Sequence, residues 1–186
     1  MLPIHIKEQE LWDEANEVFY NIEACDLLLE HSLLSVSLWE AKYHKAYLTS
    51  EKTAEEVLDY IKMMVVGEYP DDDFVFMMLT KQQLEEIGKY INDPMTATTF
   101  TKEDEDTING KINKDKFTTS EEIYSWMAMQ SIPFECERWH LNRLITLIKI
   151  CAINNKPKDK KKKRMTQSDL VARRARMEAA RKKYGG

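Results

Sequence analysis

Apolar residues recur at helical spacing through most of the chain and alternate only near its start. The broadest stripe lies in Ile132–Ala152. There Leu141, Leu144, Ile145, Ile148, Cys151 and Ala152 share one face, and Glu135, Arg138, Asn142, Arg143, Thr146 and Lys149 the other. Pro133 suits the first turn of such a helix, where a missing N–H costs nothing. The spacing predicts one helix over 132–152, the longest in the chain and a wall of the core, with Leu144 and Ile148 buried.

Near the start, Ile4 and Ile6 alternate with polar neighbours, as do Val18, Tyr20 and Ile22, and the polar stretch Asp13–Glu17 between them suits a turn. Leu27–Leu29 is a short apolar run that reads as a third strand. Helices follow. Ser37 and Glu40 have capping-box spacing and predict a short helix to about Lys45. Thr53 and Glu56 repeat the device ahead of a stripe of Val57, Leu58, Ile61, Met64 and Val65 that ends at Gly67. Thr80 and Gln83 cap a further helix with Leu84, Ile87 and Ile91 inward. Asp93-Pro94 ends it, because the residue before proline is biased out of the helical region. Residues 95–118 lack a helical stripe, and Asn109-Gly110 between Ile108 and Ile112 suggests a small hairpin or loop. Thr119 and Glu122 cap a helix holding Ile123, Trp126 and Met127.

Past residue 155 the pattern changes. Lys156–Arg164, KPKDKKKKR, has nothing to bury and reads as a solvated linker. The segment from Thr166 to Tyr184 is rich in Ala and Arg and has strong helix propensity, with a thin apolar content that favours a helix completed by docking. The expected fold is mainly α with a small N-terminal β element (α+β). Its expected organisation is a helical body over 1–155, a lysine-rich linker over 156–165 and a basic C-terminal helix over 166–186.

Charge sharpens this division. Of 27 Lys/Arg and 32 Asp/Glu, residues 156–186 hold 13 and 3, a balance of +10, so the body stands at −15. A basic tail on an acidic body suggests a tail that seeks an acidic partner or folds back on its own body. No apolar run approaches the ~20 residues of a membrane span, and the acidic start MLPIHIKEQE has no secretory h-region. Cys25, Cys136 and Cys151 are an odd number without close pairing, which suits reduced thiols in a cytoplasm.

Candidate chemistry is sparse. Cys136 and His140 are four residues apart and could share a metal on one helix face. No second Cys/His pair completes the usual four ligands, so neither metal nor cofactor is expected. His31 and His44 flank the Ser37 helix, where ordinary hydrogen-bonded roles are expected. Gly-x-Ser-x-Gly, Walker and Gly-x-Gly-x-x-Gly motifs are all missing, and five glycines leave little for phosphate-cradling loops. Glu135 and Glu137 fall on different sides of a helical turn and make no acid/base pair. Asp71, Asp72 and Asp73 read as a solvated acidic loop rather than a cation site. Trp12, Trp39, Trp126 and Trp139 read as core or interface residues. Met63, Met64, Met77, Met78, Met127 and Met129 suit a core, and also an adaptable binding surface.

Several stretches together resemble one family. LEHSLLSVSLWEAKYHKAYL (Leu29–Leu48), INDPMTATTF (Ile91–Phe100), IYSWM (Ile123–Met127), IPFECERWHLNRLITLI (Ile132–Ile148) and the closing RRARMEAARKKYGG are similar to the tail assembly chaperones of long-tailed, siphovirus-like phages. The anchors are Ser37–Glu40, Asp93–Ala97 and Trp139–Asn142, and the acidic insertion Lys102–Asp106 departs from the pattern. The resemblance implies a non-enzymatic protein that binds the phage tape-measure protein and keeps it soluble in the host cytoplasm during tail assembly, and that is left out of the mature virion. Further partners compatible with it are tail-tube subunits and a second copy of the chain, but no membrane. The expected partner-binding residues are Met63, Met64, Met77 and Met78 on the body and Arg173, Arg174, Arg176, Arg181, Lys182 and Lys183 on the tail. Two rivals stand beside this reading. One is a structural virion protein of the tail or head–tail connector. The other is a basic-tailed nucleic-acid-binding protein, disfavoured because the lysine run has no interleaved aromatics and the body is acidic.

Overall fold

The computed structural model of the chain describes residues 1–14, 17–68, 70, 73–101, 119–155 and 167–184. It divides into two compact units, Met1–Ile153 and Asn154–Gly186. The fold is mainly α with a small N-terminal β element, followed by a basic C-terminal helix. The predicted lysine-rich linker, the Asn109-Gly110 turn and the Lys102–Asp106 insertion lie outside the described residues.

Four short strands open the chain: β1 (Leu2–Ile6), β2 (Gln9–Asp13), β3 (Val18–Ile22) and β4 (Cys25–Leu29). β1 pairs antiparallel with β4, placing Leu2 opposite Leu29, Ile4 opposite Leu27 and Ile6 opposite Cys25. β2 and β3 form a second antiparallel pair nested between them, with Gln9 opposite Ile22 and Trp12 opposite Phe19. Successive side chains leave a strand on opposite faces. Ile4, Ile6, Leu27 and Leu29 therefore all reach the core, as does Ile22 at the base of the inner pair. The outer edge of β4 is covered by the chain after α2, where Glu30 N–H donates to Met64 O and Val66 N–H to Leu28 O, each at 2.8 Å. Strand β2 was not among the expected elements.

The body helices are α1 (Leu33–Tyr43), α2 (Ala54–Met63), α3 (Lys81–Asn92), α4 (Ser120–Met129) and α5 (Leu141–Asn154), with short 3₁₀ segments at Asp73–Met78 and Phe134–Arg138. Thr53 and Thr80 cap α2 and α3 in the expected boxes with Glu56 and Gln83, and the Thr119 hydroxyl accepts from Glu122 N–H at the start of α4. Helix α1 starts earlier than its sequence suggests. Ser32 is its N-cap, boxed with Ser35, and His44 closes it in the left-handed conformation (φ 54°). Ser37 and Glu40 lie inside it. Buried Glu40 instead accepts from Tyr47 N–H (2.8 Å) and Ser120 N–H (2.7 Å), so it joins the turn after α1 to the first turn of α4.

The single helix expected over 132–152 is corrected as well. The chain makes a 3₁₀ segment, turns extended at Trp139 (φ −74°, ψ 161°) and only then enters α5. The break has two partners: Leu141 N–H donates to His31 O at 2.7 Å, and His140 forms a bridge with Ser32. Leu141, Leu144, Ile148 and Ala152 are buried as the stripe requires, whereas Ile145 and Cys151 are half-buried. The longest described helix is α6 (Gln167–Tyr184), in the second unit, with 18 residues against 14 for α5. Among the described residues no helix is long and apolar enough to cross a membrane.

Candidate functional site

The densest polar chemistry is buried. His31, directly before the N-cap of α1, meets the Tyr60 hydroxyl of α2 at 2.5 Å, and Ser35 Oγ lies 3.3 Å from that hydroxyl. The Tyr47 and Tyr60 rings are 4.0 Å apart, and the His31 and His140 rings 5.2 Å. His140 donates from Nε2 to Tyr90 O (3.0 Å) and accepts at Nδ1 from Asn142 N–H (3.3 Å). Both of its nitrogens are thereby engaged within the fold, and the pairing with Cys136 considered for a metal is not formed through them. Tyr90 donates to the Glu30 carboxylate at 2.8 Å.

Burial, then repulsion from His140, lowers His31 from 6.5 to about 3, so its imidazole is neutral at physiological pH. Burial likewise pushes the Tyr60 and Tyr47 phenols above their ordinary range. The cluster is thus a set of mutually satisfied groups, ending at the Glu30 carboxylate that also pairs with the Met1 ammonium at 3.1 Å, and it ties α1, α2, α3 and α5 to the end of β4. Its Tyr47 and Tyr60 also line the apolar groove between α2 and α3.

Two cavities adjoin this core. One, of about 160 Å³, is an apolar groove between α2 and α3, lined by Val57, Ile61, Leu84, Ile87, Gly88 and Ile91. Val57 and Leu84 were expected inward; both are exposed at the groove mouth, while Tyr60 and Tyr90 join the expected Ile61 and Ile87 in the core. The other, about 800 Å³, opens beside the β3–β4 turn and carries Glu23, Asp26 and Glu68 on its wall. Among the described residues no group of three or more potential ligands is placed to hold a metal.

The exposed surface carries the interaction chemistry. Trp12 and Phe19 face each other across β2 and β3 with ring centroids 4.6 Å apart, yet are 44% and 66% exposed. Met129, Phe134 and Trp139 are exposed around the link between α4 and α5, where the Arg143 guanidinium sits 4.7 Å from the Trp139 ring. Among the expected partner-binding methionines, Met77 is exposed, Met63 and Met78 are half-buried against the core, and Met64 is 1% exposed. Met64 therefore presents no contact surface, because it packs inward as α2 ends. Arg173, Arg174, Arg176, Arg181, Lys182 and Lys183 are all exposed on α6.

The exposed aromatic pair was missed as a surface in the sequence, although the alternation carried a signal. Tyr20 and Ile22 lie on one face of β3, so Phe19 and its partner Trp12 must lie on the other.

Two of the segments that carry the family resemblance are joined physically. Asn142 Nδ2 donates to Ile91 O (3.1 Å) and to Asp93 O (2.7 Å), holding the Asp93-Pro94 turn against α5. Comparisons with protein-family models, with curated proteins and with solved structures each return no match.

Proposed function

We propose that the chain is a non-enzymatic tail assembly chaperone of a long-tailed phage, which binds the tape-measure protein in the host cytoplasm and keeps it soluble until the tail tube forms. The observation that carries this reading is that the resembling segments include contacts that build the fold: the Trp139–Asn142 segment grips the Asp93–Ala97 loop through Asn142. Surface chemistry supports it. Met77, Met129, Phe134 and Trp139 expose apolar side chains on an otherwise acidic body, which suits the apolar face of an amphipathic client helix. Co-expression with the tape-measure protein of the same genome should keep that protein soluble and recover it in a complex. Because exposed charge pairs are weak and screened, Phe134→Ser with Met129→Ser should weaken the complex more than neutralising the α6 arginines. Failure to form a complex at low salt, or stoichiometric presence of the chain in purified virions, would overturn the reading. The second result would favour a structural tail or connector protein.

One other reading has an observation of its own. The exposed Arg and Lys residues of α6 would neutralise phosphates in a nucleic-acid binder. Affinity for duplex DNA that drops steeply with salt, together with indifference to the tape-measure protein, would favour it.

A further inference from the structure

The ribbon made by β2 and β3 is built unlike the rest of the body. A two-stranded ribbon is marginally stable by itself. This one is anchored at its base by buried Ile22 and by the Tyr20–Phe74 stack, at 5.0 Å. Beyond that base it displays Trp12 and Phe19 together on one face and Val18 on the other, each more than two-fifths exposed. Large apolar side chains grouped in this way mark an interaction face. Around them the sequence from Gln9 to Ile22 carries Glu10, Asp13, Glu14 and Glu17 and no Lys or Arg. By alternation Glu10 shares the face of Trp12 and Phe19, so this face is aromatic and lies on a segment whose charges are all anionic. An anionic partner such as nucleic acid or an acidic lipid surface would be repelled, and a neutral apolar partner would leave the carboxylates unmatched.

The chain itself contains the complement. Helix α6 holds six basic residues against Asp169 and Glu178. At about 100° per residue, Val171, Arg174, Met177 and Arg181 fall within about one third of its circumference. Val171 and Met177 are 66% and 64% exposed, and the two arginines are exposed beside them. A guanidinium stacks favourably on an aromatic face, and a methionine adapts its shape to one. We propose that the β2–β3 ribbon of one copy receives helix α6 of a second copy, with Arg174 and Arg181 over the Trp12–Phe19 pair and the ribbon carboxylates around them. The contact is head-to-tail: each copy offers one ribbon and one helix. It rests on these two surfaces alone and holds whatever the client of the protein is.

A charge-swap experiment on the full-length chain tests it. Sedimentation velocity of the wild type at low salt should show concentration-dependent self-association that high salt dissolves, and Trp12→Ala should abolish it. A ribbon variant, Glu10→Lys with Glu17→Lys, and a helix variant, Arg174→Glu with Arg181→Glu, should each be monomeric. All four side chains are exposed, so the fold should persist, as far-UV circular dichroism would check. Mixed in equal amounts, the two variants should associate, because the unaltered helix of the ribbon variant then meets the unaltered ribbon of the helix variant. A wild type that stays monomeric at low salt, variants that self-associate as the wild type does, or a mixture that stays monomeric would each overturn the proposal.

Discussion

Glu40 offers the sharpest test of how the body is held together. Its carboxylate is buried and accepts two backbone N–H bonds, one from Tyr47 just after α1 and one from Ser120 in the first turn of α4, 80 residues away in sequence. A carboxylate at a helix start is favoured by the exposed N–H groups and dipole there. Glu40→Gln keeps the volume and removes one acceptor. One of the two N–H groups must then face an amide NH₂, donor against donor, at a buried position. Each hydrogen bond to a charged group contributes about 1.5–3 kcal/mol, and an orphaned buried donor costs about 1–3 kcal/mol. Relief of carboxylate burial offsets part of this. The net expectation is a loss of about 2–3 kcal/mol, which is about 1–1.5 M off the urea midpoint if m is near about 2 kcal/mol/M. Amide hydrogen exchange gives a local reading of the same event: Tyr47 and Ser120 should be protected in the wild type, and one should lose protection in the variant. A stability loss below about 0.5 kcal/mol, or unchanged protection of both amides, would refute the bridging role.

Ser32→Ala should cost about 1 kcal/mol and Ser37→Ala nearly nothing in the same titration, since Ser32 caps α1 and Ser37 lies within it; the reverse order would restore the Ser37 cap. Leu144→Ala should cost about 2–5 kcal/mol, as truncations at fully buried sites do, and a loss under about 0.5 kcal/mol would show that the wrong face of α5 had been taken as the core. Gly88→Ala should raise stability by about 0.5–1 kcal/mol, because the added methyl meets no atom within 4 Å and helix interiors disfavour glycine; destabilisation would mean that the groove is filled. His31 titrates at about 3 in the fold against 6.5 in the unfolded chain, so the unfolded state binds the extra proton between these values and stability falls as pH is lowered through them, by about 2 kcal/mol from about pH 7.5 to about pH 5. His31→Gln should flatten that slope; a slope unchanged from the wild type would assign it to other groups.

Local devices were legible in the sequence, and competition between them was not. The boxes at Thr53–Glu56 and Thr80–Gln83 form as their spacing suggests, because the distant partners of these side chains leave the capping atoms free: Lys45 takes Glu56 Oε1 and leaves Oε2 for Thr53 N–H, and Gln83 donates from Nε2 to His5 O while its Oε1 accepts from Thr80 N–H. Ser37–Glu40 has the same spacing and does not form. Ser32 and Ser35 make a box one turn earlier, and Glu40 is engaged by amides of two other segments. The apolar stripe over 132–152 is continuous in sequence, yet the helix breaks before Leu141, whose amide is taken by a carbonyl 110 positions upstream, that of His31. Periodicity reports which residues face inward; it carries no information on a backbone N–H that a remote segment satisfies.

The same limit applied to the interaction surfaces. Met63 and Met64 are neighbours of one type, but the end of α2 turns Met64 fully inward and leaves Met63 half-covered. Residue type alone could not separate them. Alternation along β3, by contrast, carried the position of Phe19, and opposite pairing then fixed Trp12 beside it. What turns that pair into a functional candidate is a fact about three dimensions: the ribbon is anchored at its base by Ile22, and among the described residues no element covers the Trp12–Phe19 face. A sequence shows that an aromatic residue will leave a strand on a given side. Whether that side is interior or surface depends on how many layers the chain can stack there, and a two-stranded ribbon set at the margin of a helical body has only one.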